Sequence, residues 1–261
     1  MIYTFCTKTD PGRARDNNED AAAFDEVTRL GVLADGMGGY NAGEIASGMA
    51  IAFIKSEMSR WLNEAGKQAK TREVRRALEI CVDNANRSIF NAANSNAHYS
   101  GMGTTLVVSV FQDTCLMLGH IGDSRCYRLR NGELQQITKD HSLLQEQIDA
   151  GMITPEQAAT STYKNLVTRA LGVEDAVMLE LNEHQVEHGD LYVMCSDGLS
   201  DMVNDADIAA ILDADLPLDQ KAERLITIAN EHGGRDNITV LMVQAGAETE
   251  KRGLISRLLG K

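Results

Sequence analysis

The sequence is most informative at Leu33-Ala34-Asp35-Gly36-Met37-Gly38-Gly39, where an apolar run ends in a carboxylate and glycines follow. The run from Arg29 to Ala34 predicts a buried strand that stops at Asp35 and then turns tightly. Glycine has no Cβ, so the backbone can approach another group closely here. A carboxylate beside an exposed backbone carbonyl is an oxygen-rich ligand pair for a hard cation such as Mg²⁺ or Mn²⁺. For this stretch alone, an ordinary Asp-Gly turn remains an equal alternative.

The composition is that of a globular protein large enough for a substantial core. The 261 residues fit one large domain or two small ones, and 43% are hydrophobic while 24% are charged. The formal net charge of −13 repels nucleic acid and anionic membranes, so we expect neither as a partner. No apolar run approaches the roughly 18 residues of a membrane span, and no signal peptide is visible. We therefore expect a cytoplasmic protein.

The five cysteines favour the same compartment. Their number is odd, and the sequence contains no Cys-x-x-Cys pair. Most of them lie in apolar runs, which is typical of reduced core residues in a cytosolic protein. No spacing in the chain fits the ligands of a zinc site.

Hydrophobic periodicity predicts both helices and strands. Apolar residues recur at helical spacing over 46–62 and 74–92, so we expect two antiparallel helices joined by a short connection. A block of strands follows from Thr104 to Ile137, in which Asn131-Gly132 is a strong hairpin signal. The remaining apolar segments predict a strand over 191–195, helices over 205–212 and 218–231, and a strand over 238–244.

Several acidic residues lie at the edge of an apolar strand or in a glycine-rich turn. They are Glu19, Asp35, Asp123, Asp197, Asp201 and Asp236. Acids that share one site repel one another strongly at low dielectric unless cations lie between them. Two hard metal ions roughly 3.5–4 Å apart are the usual arrangement, and they serve phosphoryl chemistry. In such a site an arginine holds the remaining phosphate oxygens in two places.

Short motifs around these acids occur in a fixed order over about residues 5–245. They are Arg15-Asp16-Asn17-Asn18-Glu19-Asp20, Ala34-Asp35-Gly36-Met37-Gly38-Gly39, Gly101-Met102-Gly103-Thr104-Thr105, Gly122-Asp123-Ser124-Arg125, Arg169-Ala170-Leu171-Gly172, Ser196-Asp197-Gly198-Leu199-Ser200-Asp201 and Asp236-Asn237-Ile238-Thr239. Each motif is weak alone, but together and in order they are very specific. The chain resembles the metal-dependent serine/threonine protein phosphatases of the type 2C group, in its bacterial branch.

The resemblance implies an α+β fold, which is a four-layer α-β-β-α sandwich. Helix pairs would flank a central antiparallel β-sandwich, with metals in a cleft at one end. Residues 1–246 would form the type 2C phosphatase catalytic domain, and residues 247–261 would form a C-terminal tail.

The resemblance also implies roles for the acids. Asp35 would bridge two catalytic metals. Glu19 and the Gly36 carbonyl would complete one of the two metal sites. Asp197 and Asp236 would complete the other.

Further residues would serve a third ion and the substrate. Asp123, with Asp197 and Asp201, would hold the third and weaker ion. Arg15 would bind the substrate phosphate. Asp20 would orient the waters of the metals, and Asn237 would lie behind the metal ligands without binding a metal itself.

Two departures from the family pattern leave questions open. Animal members carry a histidine directly after Asp-Gly that is thought to protonate the leaving alkoxide, but this chain has Met37 there, as is usual in bacterial members. The general acid is therefore unassigned: His141 or a metal-bound water are the alternatives, although a helix-capping or surface role is the ordinary expectation for His141. Many bacterial members also show His-Pro in the flap, where this chain has Ser161-Thr162. We expect Ser161 to meet substrate, so the substrate preference of relatives does not transfer directly.

We therefore expect a bacterial protein serine/threonine phosphatase that hydrolyses phosphoserine and phosphothreonine by attack of a metal-activated water. Its cofactors would be two tight Mn²⁺ or Mg²⁺ ions and a third, weaker one. Its partners would be phosphorylated proteins, a bacterial serine/threonine kinase would oppose it, and it would act as a monomer. The rival is a non-catalytic regulator of the same fold that binds phosphoproteins; it predicts lost metal carboxylates, and this sequence keeps them. An unrelated Ca²⁺ module would need an EF-hand-like loop, which the sequence lacks.

Overall fold

The computed structural model describes residues 1–39, 42–66, 69–159, 161 and 166–246, so the predicted tail and Thr162 lie outside the described residues. The strands in these ranges are β1 (Ile2–Asp10), β2 (Asp20–Asp25), β3 (Leu30–Met37), β4 (Gly103–Thr104), β5 (Leu106–Gln112), β6 (Cys115–Ile121), β7 (Arg125–Arg130), β8 (Glu133–Gln136), β9 (Glu180–Gln185), β10 (Leu191–Cys195) and β11 (Ile238–Gly246). The helices are α1 (Ala42–Ala65), α2 (Thr71–Ser95), α3 (Leu143–Asp149), α4 (Pro155–Ala159), α5 (Asp197–Ser200), α6 (Asp205–Asp213) and α7 (Leu218–Glu231).

The strands form two antiparallel sheets that pack face to face. One sheet has the order β1-β11-β10-β7-β8, and the other has the order β2-β3-β5-β6-β9 with β4 paired to β3. Helices α1 and α2 pack on the second sheet, and α6 and α7 pack on the first. These four layers confirm the predicted α+β sandwich.

Side-chain alternation along the strands builds the apolar layers between sheets and helices. In β3, Val32 and Ala34 join the core beneath α1 and α2, whereas Leu33 joins the core between the two sheets. In β10, Val193 packs toward α6 and α7, whereas Tyr192 packs between the sheets. Successive side chains of a strand point to opposite faces, so a strand buried on both faces needs an unbroken apolar run. This explains the apolar runs over 30–34 and 191–195.

The two long helices contain the predicted helical segments and extend them at both ends. Their buried residues recur every three or four positions, as in Ala46, Ala50, Ile54 and Met58 of α1. This spacing places one face of each helix on the sheet. Within the described residues, no helix combines the length and the apolar character that a membrane span requires.

The β7–β8 hairpin confirms the prediction made from Asn131-Gly132, whereas the sequence did not predict strand β9. Asn131 and Gly132 have φ angles of 52° and 79°, and positive values at both central positions define the type I′ turn that joins tight hairpins. Among the described residues, strand β9 pairs with β6 alone and lies at the edge of its sheet. Its sequence Glu-Leu-Asn-Glu-His-Gln is mostly polar, because an edge strand need not be apolar on both faces.

Strand β3 is longer than predicted. It does not stop at Asp35 but continues to Met37, because Gly36 and Met37 pair with Thr104 and Gly103 of β4. Asp35 therefore lies inside a strand, and the prediction of a tight turn directly after it is wrong. A strand holds a carboxylate more rigidly than a turn would.

Candidate metal centre

Five carboxylates from separate parts of the chain meet in one cleft of about 280 Å³. They are Glu19 before β2, Asp35 in β3, Asp123 after β6, Asp197 at the start of α5 and Asp236 before β11. Arg15 and Gly36 also line this space, which is called the acid cleft below. The fold thus brings together these predicted site residues from across the chain.

Asp201 and Ser161 are not among the residues that line the acid cleft. Asp201 is the C-terminal cap of α5, and its N–H donates to the carbonyl of Asp197 at 2.8 Å. Burial is the largest cause of the raised pKa values of Asp197 and Asp123. The charge of the Asp201 carboxylate makes a smaller contribution to both, which places that carboxylate near them. The N–H of Ser161 donates to the carbonyl of Ala158 at 3.0 Å. The predicted roles of Asp201 and Ser161 remain predictions.

The backbone of Asp35 is fixed by two threonines for which the sequence analysis gave no role. The Asp35 N–H donates to Oγ1 of Thr105 at 3.0 Å, and the Thr105 N–H donates back to the Asp35 carbonyl at 2.8 Å. The hydroxyl of Thr104 donates to the same carbonyl at 2.8 Å. Thr105 also shares a hydrogen bond of 2.7 Å with the hydroxyl of Ser124, the neighbour of Asp123. Thr105 therefore links strand β3, which carries Asp35, to the turn after β6, which carries Asp123.

Asn237 ties the loop before β2 to the start of β11. Its side-chain carbonyl accepts the N–H of Glu19 at 2.7 Å, while its amide donates to the carbonyls of Pro11 and Asn17 at 3.0 and 2.8 Å. The Asn237 N–H donates to the carboxylate of Asp236 at 2.8 Å. One buried amide thus sets the positions of Glu19 and Asp236. The resemblance places Asn237 behind the metal ligands, and in the structure it hydrogen-bonds to two of the residues predicted to be ligands, Glu19 and Asp236.

Asp20 lies opposite Asp35 in the β2–β3 register, behind the acid cleft. The hydroxyl of Ser196 donates to one Asp20 oxygen at 2.7 Å, and the N–H of Thr239 in turn donates to Ser196 at 3.0 Å. The other Asp20 oxygen, Oδ1, is buried and has no hydrogen-bond partner within the described ranges. A buried acceptor without a partner fits the predicted role of orienting a metal's water.

Close backbone packing shapes the cleft walls. A Cβ on Gly36 would lie 2.1 Å from the carbonyl oxygen of Gly43, and a Cβ on Gly43 would lie 2.9 Å from the Glu19 carboxyl carbon. A Cβ on Gly198 would lie 1.9 Å from the carbonyl oxygen of Asn237. Only glycine lets α1 and α5 approach the acid cleft this closely.

The electrostatics of the cleft suit hard cations. Burial raises the pKa of Asp35 and Asp197 well above the usual value, and neighbouring carboxylates raise both further. Burial likewise raises the pKa of Asp123 to about 6 and that of Asp20 to about 7. Buried acids in this state gain from binding either protons or cations. Their donor atoms are all oxygens, so the set fits Mg²⁺ or Mn²⁺.

Arg15 reaches the rim of the acid cleft, and its side chain is about half exposed. Its guanidinium donates to the Asp236 carboxylate at 2.7 Å, and this hydrogen bond is the main reason that the pKa of Arg15 is raised. The planar guanidinium fork is chemically suited to hold two oxygens of a phosphoryl group.

His141 is neither a helix cap nor a surface residue. Ser142 caps α3 instead, by accepting the N–H of Gln145, while His141 is buried and stacked on His120. The N–H of Gly122 donates to Nδ1 of His141 at 3.1 Å, and Nε2 lies 3.2 Å from the Glu180 carboxylate. His141 is not among the cleft-lining residues. Its contacts are those of a residue that positions the turn carrying Asp123.

The ligand atoms of His120, His141 and Glu180 lie within 4.8 Å of one another, the spacing of a small metal site. The two imidazole rings are stacked, with centroids 4.7 Å apart and planes inclined by 14°. A metal ion lies in the plane of each imidazole that binds it, and tetrahedral ligands point toward a shared centre. Two nearly parallel stacked rings do not meet that requirement as they are arranged.

A family model described as protein phosphatase 2C matches residues 13–239 of this sequence. The chain belongs to the protein phosphatase 2C family. This result confirms the family resemblance and the predicted enzyme class, metal-dependent phosphoprotein phosphatases.

Relatives in this protein phosphatase 2C family align over nearly the whole chain. The serine/threonine phosphatase stp of Listeria innocua is 38% identical over 244 residues, which cover 91% of this chain and 94% of the relative. The crystal structure of the Mycobacterium tuberculosis serine/threonine phosphatase PstP/Ppp matches with a TM-score of 0.87 at 37% identity, covering 95% of this chain and all of that one. The catalytic domain of a PstP phosphatase in complex with two manganese ions matches with a TM-score of 0.82 at 38% identity, covering 94% of this chain and 99% of that one.

Proposed function

We propose that this chain is a bacterial protein serine/threonine phosphatase that hydrolyses phosphoserine and phosphothreonine at the acid cleft. The observation that carries the proposal is the convergence of five carboxylates and Arg15 on one space of about 280 Å³. Carboxylates packed so closely favour cations, and the guanidinium at the rim favours a phosphoryl group. Membership of the protein phosphatase 2C family supports the same reaction.

The cofactors we propose are two tightly held Mn²⁺ or Mg²⁺ ions. Asp35 would bridge them, with Glu19 and the Gly36 carbonyl on one side and Asp197 and Asp236 on the other. The manganese-bound relative supports a pair of ions. A third and weaker ion would bind at Asp123, with Asp197 and Asp201.

When bound, such ions polarise phosphoryl oxygens and lower the pKa of a coordinated water. The chain's own residues supply the positioning. Arg15 would hold the phosphate, and the Thr105 and Asn237 hydrogen bonds fix the backbones of Asp35 and Glu19. Met37 lines the cleft without a titratable group, so the proton for the leaving alkoxide comes from elsewhere.

The partners we propose are phosphorylated proteins, and a bacterial serine/threonine kinase would oppose this activity. Bacterial relatives named serine/threonine phosphatases support this class of substrate. We further propose that residues 1–246 form the catalytic domain, that the chain acts as a monomer, and that it works in the cytoplasm.

Phosphate release from phosphoserine and phosphothreonine peptides tests the proposal. With Mn²⁺ present, the protein should release phosphate. Asp35→Asn and Asp197→Asn should each lose on the order of 10³-fold or more in kcat, because several kcal/mol of transition-state stabilisation are removed. Asp213→Asn, an exposed acid at the end of α6, is the matched control and should retain full activity.

Circular dichroism must show that each variant is folded. An Asp197→Asn protein that keeps more than about a tenth of kcat would contradict the proposal. Binding of phosphopeptides without phosphate release would instead indicate the non-catalytic regulator.

A further inference from the structure

A groove of about 780 Å³ adjoins the acid cleft. Met37 and Val167 line both spaces, so the two are continuous. The rest of the groove is formed largely by the chain after Val167, including Val173, Val177 and Met178. These five residues define what is called the apolar groove below.

The apolar groove exposes hydrophobic side chains within the part of the chain that the structure describes. Val173 is 53% exposed and Met178 is 72% exposed. Arg169 and Glu174 also line the groove, and their opposite charges leave it without net charge. The groove therefore differs from the acid cleft, which is lined by five carboxylates and one arginine. Contiguous exposed apolar surface next to a candidate active site is typical of a binding surface.

The groove is preformed because a buried amide anchors its wall. Asn86 of α2 accepts the N–H of Gly172 at 2.7 Å and donates to the carbonyls of Glu174 and Asp175 at 2.9 and 3.2 Å. Val173 lies between these anchor points. A wall held by such bonds keeps its shape, so less ordering is needed when a ligand binds.

The start of this wall is also fixed to the sheet that carries Asp35. Thr104 and Leu171 exchange two backbone hydrogen bonds of 3.0 and 2.8 Å. A Cβ on Gly103 would lie only 2.7 Å from a methyl group of Val173, so that side chain packs directly on β4. The groove thus has a fixed position relative to the acid cleft.

We propose that the apolar groove binds the residues that flank the phosphorylated serine or threonine and selects apolar side chains at those positions. This inference rests on the proposed phosphatase function, which places the phosphoryl group in the acid cleft. An extended peptide advances about 3.3 Å per residue, so residues next to the phosphorylated one must leave the cleft along its walls. The continuity at Met37 and Val167 makes this groove a path for them.

A peptide series tests the proposal. Each phosphothreonine peptide carries either leucine or aspartate at one of the three positions on either side, and kcat/KM is measured by phosphate release with Mn²⁺. At one or more positions we expect leucine to be preferred about tenfold, the discrimination that a small apolar contact provides. Met178→Glu and Val173→Thr should move this leucine-to-aspartate ratio toward one.

Val27→Glu is the matched control, because Val27 is 81% exposed and lies in the β2–β3 turn, at the other end of these strands from Asp35. It should leave the ratio unchanged. Equal kcat/KM for the leucine and aspartate peptides at every position would overturn the proposal, as would a preference that both groove variants retain.

The test separates this inference from the function on which it rests. Wild-type protein that releases phosphate from none of the peptides would contradict the phosphatase proposal itself. The last outcome concerns a chain that ends at Gly246. If this chain has a higher kcat/KM on the peptides than the full chain, and Met178→Glu no longer changes its leucine-to-aspartate ratio, the groove is a site for the C-terminal segment. That result would overturn the substrate proposal.

Discussion

His141 and Gly122 hold each other through two hydrogen bonds. The Gly122 N–H donates to Nδ1 of His141 at 3.1 Å, and the His141 N–H donates to the Gly122 carbonyl at 2.9 Å. A nitrogen that accepts a hydrogen bond carries no proton, so the remaining proton of the neutral ring lies on Nε2, facing Glu180. Burial lowers the pKa of His141 and favours this neutral form. The turn that carries Asp123 is therefore fixed by a histidine outside the acid cleft.

Removing this support should weaken metal binding at Asp123. In His141→Leu we expect the Mn²⁺ concentration for half-maximal phosphopeptide hydrolysis to rise about tenfold, the usual effect of losing a residue that orients a ligand. His141→Asn keeps an oxygen acceptor near the position of Nδ1 and should lose less. Melting temperatures of both variants report any general loss of stability. The same metal requirement in both variants and wild type would contradict a positioning role.

Arg15 should be required for binding phosphate and not for binding metal. Lysine lacks the planar fork, so Arg15→Lys should lower kcat/KM by an amount that corresponds to about 1–3 kcal/mol of lost transition-state stabilisation. Calorimetry should still show two tight metal sites. Arg13→Lys is the control and should be unaffected. If Arg15→Ala has normal kinetics and the Arg13 variant does not, the assignment belongs to Arg13.

Asp123 should be required for turnover more than for folding. Asp123→Asn should fold normally and keep two tight metals by calorimetry, because Asp35 would bridge the inner ions. It should lose most of its kcat, more on phosphopeptides than on aryl phosphates, whose leaving groups need less help from a proton donor. Unchanged kcat on both substrates, with only a lower melting temperature, would show that Asp123 merely stabilises its turn.

The raised carboxyl pKa values predict how metal and pH act together on stability. Asp20 has its pKa raised to about 7 and Asp123 has its pKa raised to about 6. Between about pH 4 and pH 7 the folded protein therefore binds more protons at these groups than the unfolded chain does. For these groups, stability falls as pH rises from their unfolded values, near 4, toward 7. Cations replace the protons, so Mn²⁺ should raise the melting temperature of metal-stripped protein more at about pH 7.5 than at about pH 5.5. An equal rise at both pH values would contradict this linkage.

The helices and strands that the sequence predicted are those with a strong hydrophobic pattern, either a helical period or an unbroken apolar run. Strand β10 lies buried between two apolar layers, so five consecutive apolar residues mark it without ambiguity. The edge strand β9 has no such constraint, and its polar sequence carries no strand signal. The extension of β3 past Asp35 depends on pairing with β4, some 65 residues later in the chain, which no local pattern reveals.

The candidate site shows the same division. Acids at the edges of apolar strands and in glycine-rich turns marked the five carboxylates of the acid cleft, because so many of them recur in one chain. The same pattern also marked Asp201, which does not line the cleft. The residues that support the site are of types that are also common on protein surfaces. Thr105, Ser196 and Asn86 are distinguished by their hydrogen-bond partners, which only the fold reveals. The motif Gly101-Met102-Gly103-Thr104-Thr105 was the one available signal for Thr105, and it carried no mechanism by itself.

Metal dependence of turnover tests directly whether the acid cleft is a metal centre for phosphate hydrolysis. Protein is treated with chelator, transferred to metal-free buffer, and assayed for phosphate release from a phosphothreonine peptide before and after millimolar Mn²⁺ is added. We expect no turnover before the addition and full turnover after it, since the buried carboxylates alone repel the phosphate. Full turnover in the metal-free buffer would contradict this expectation.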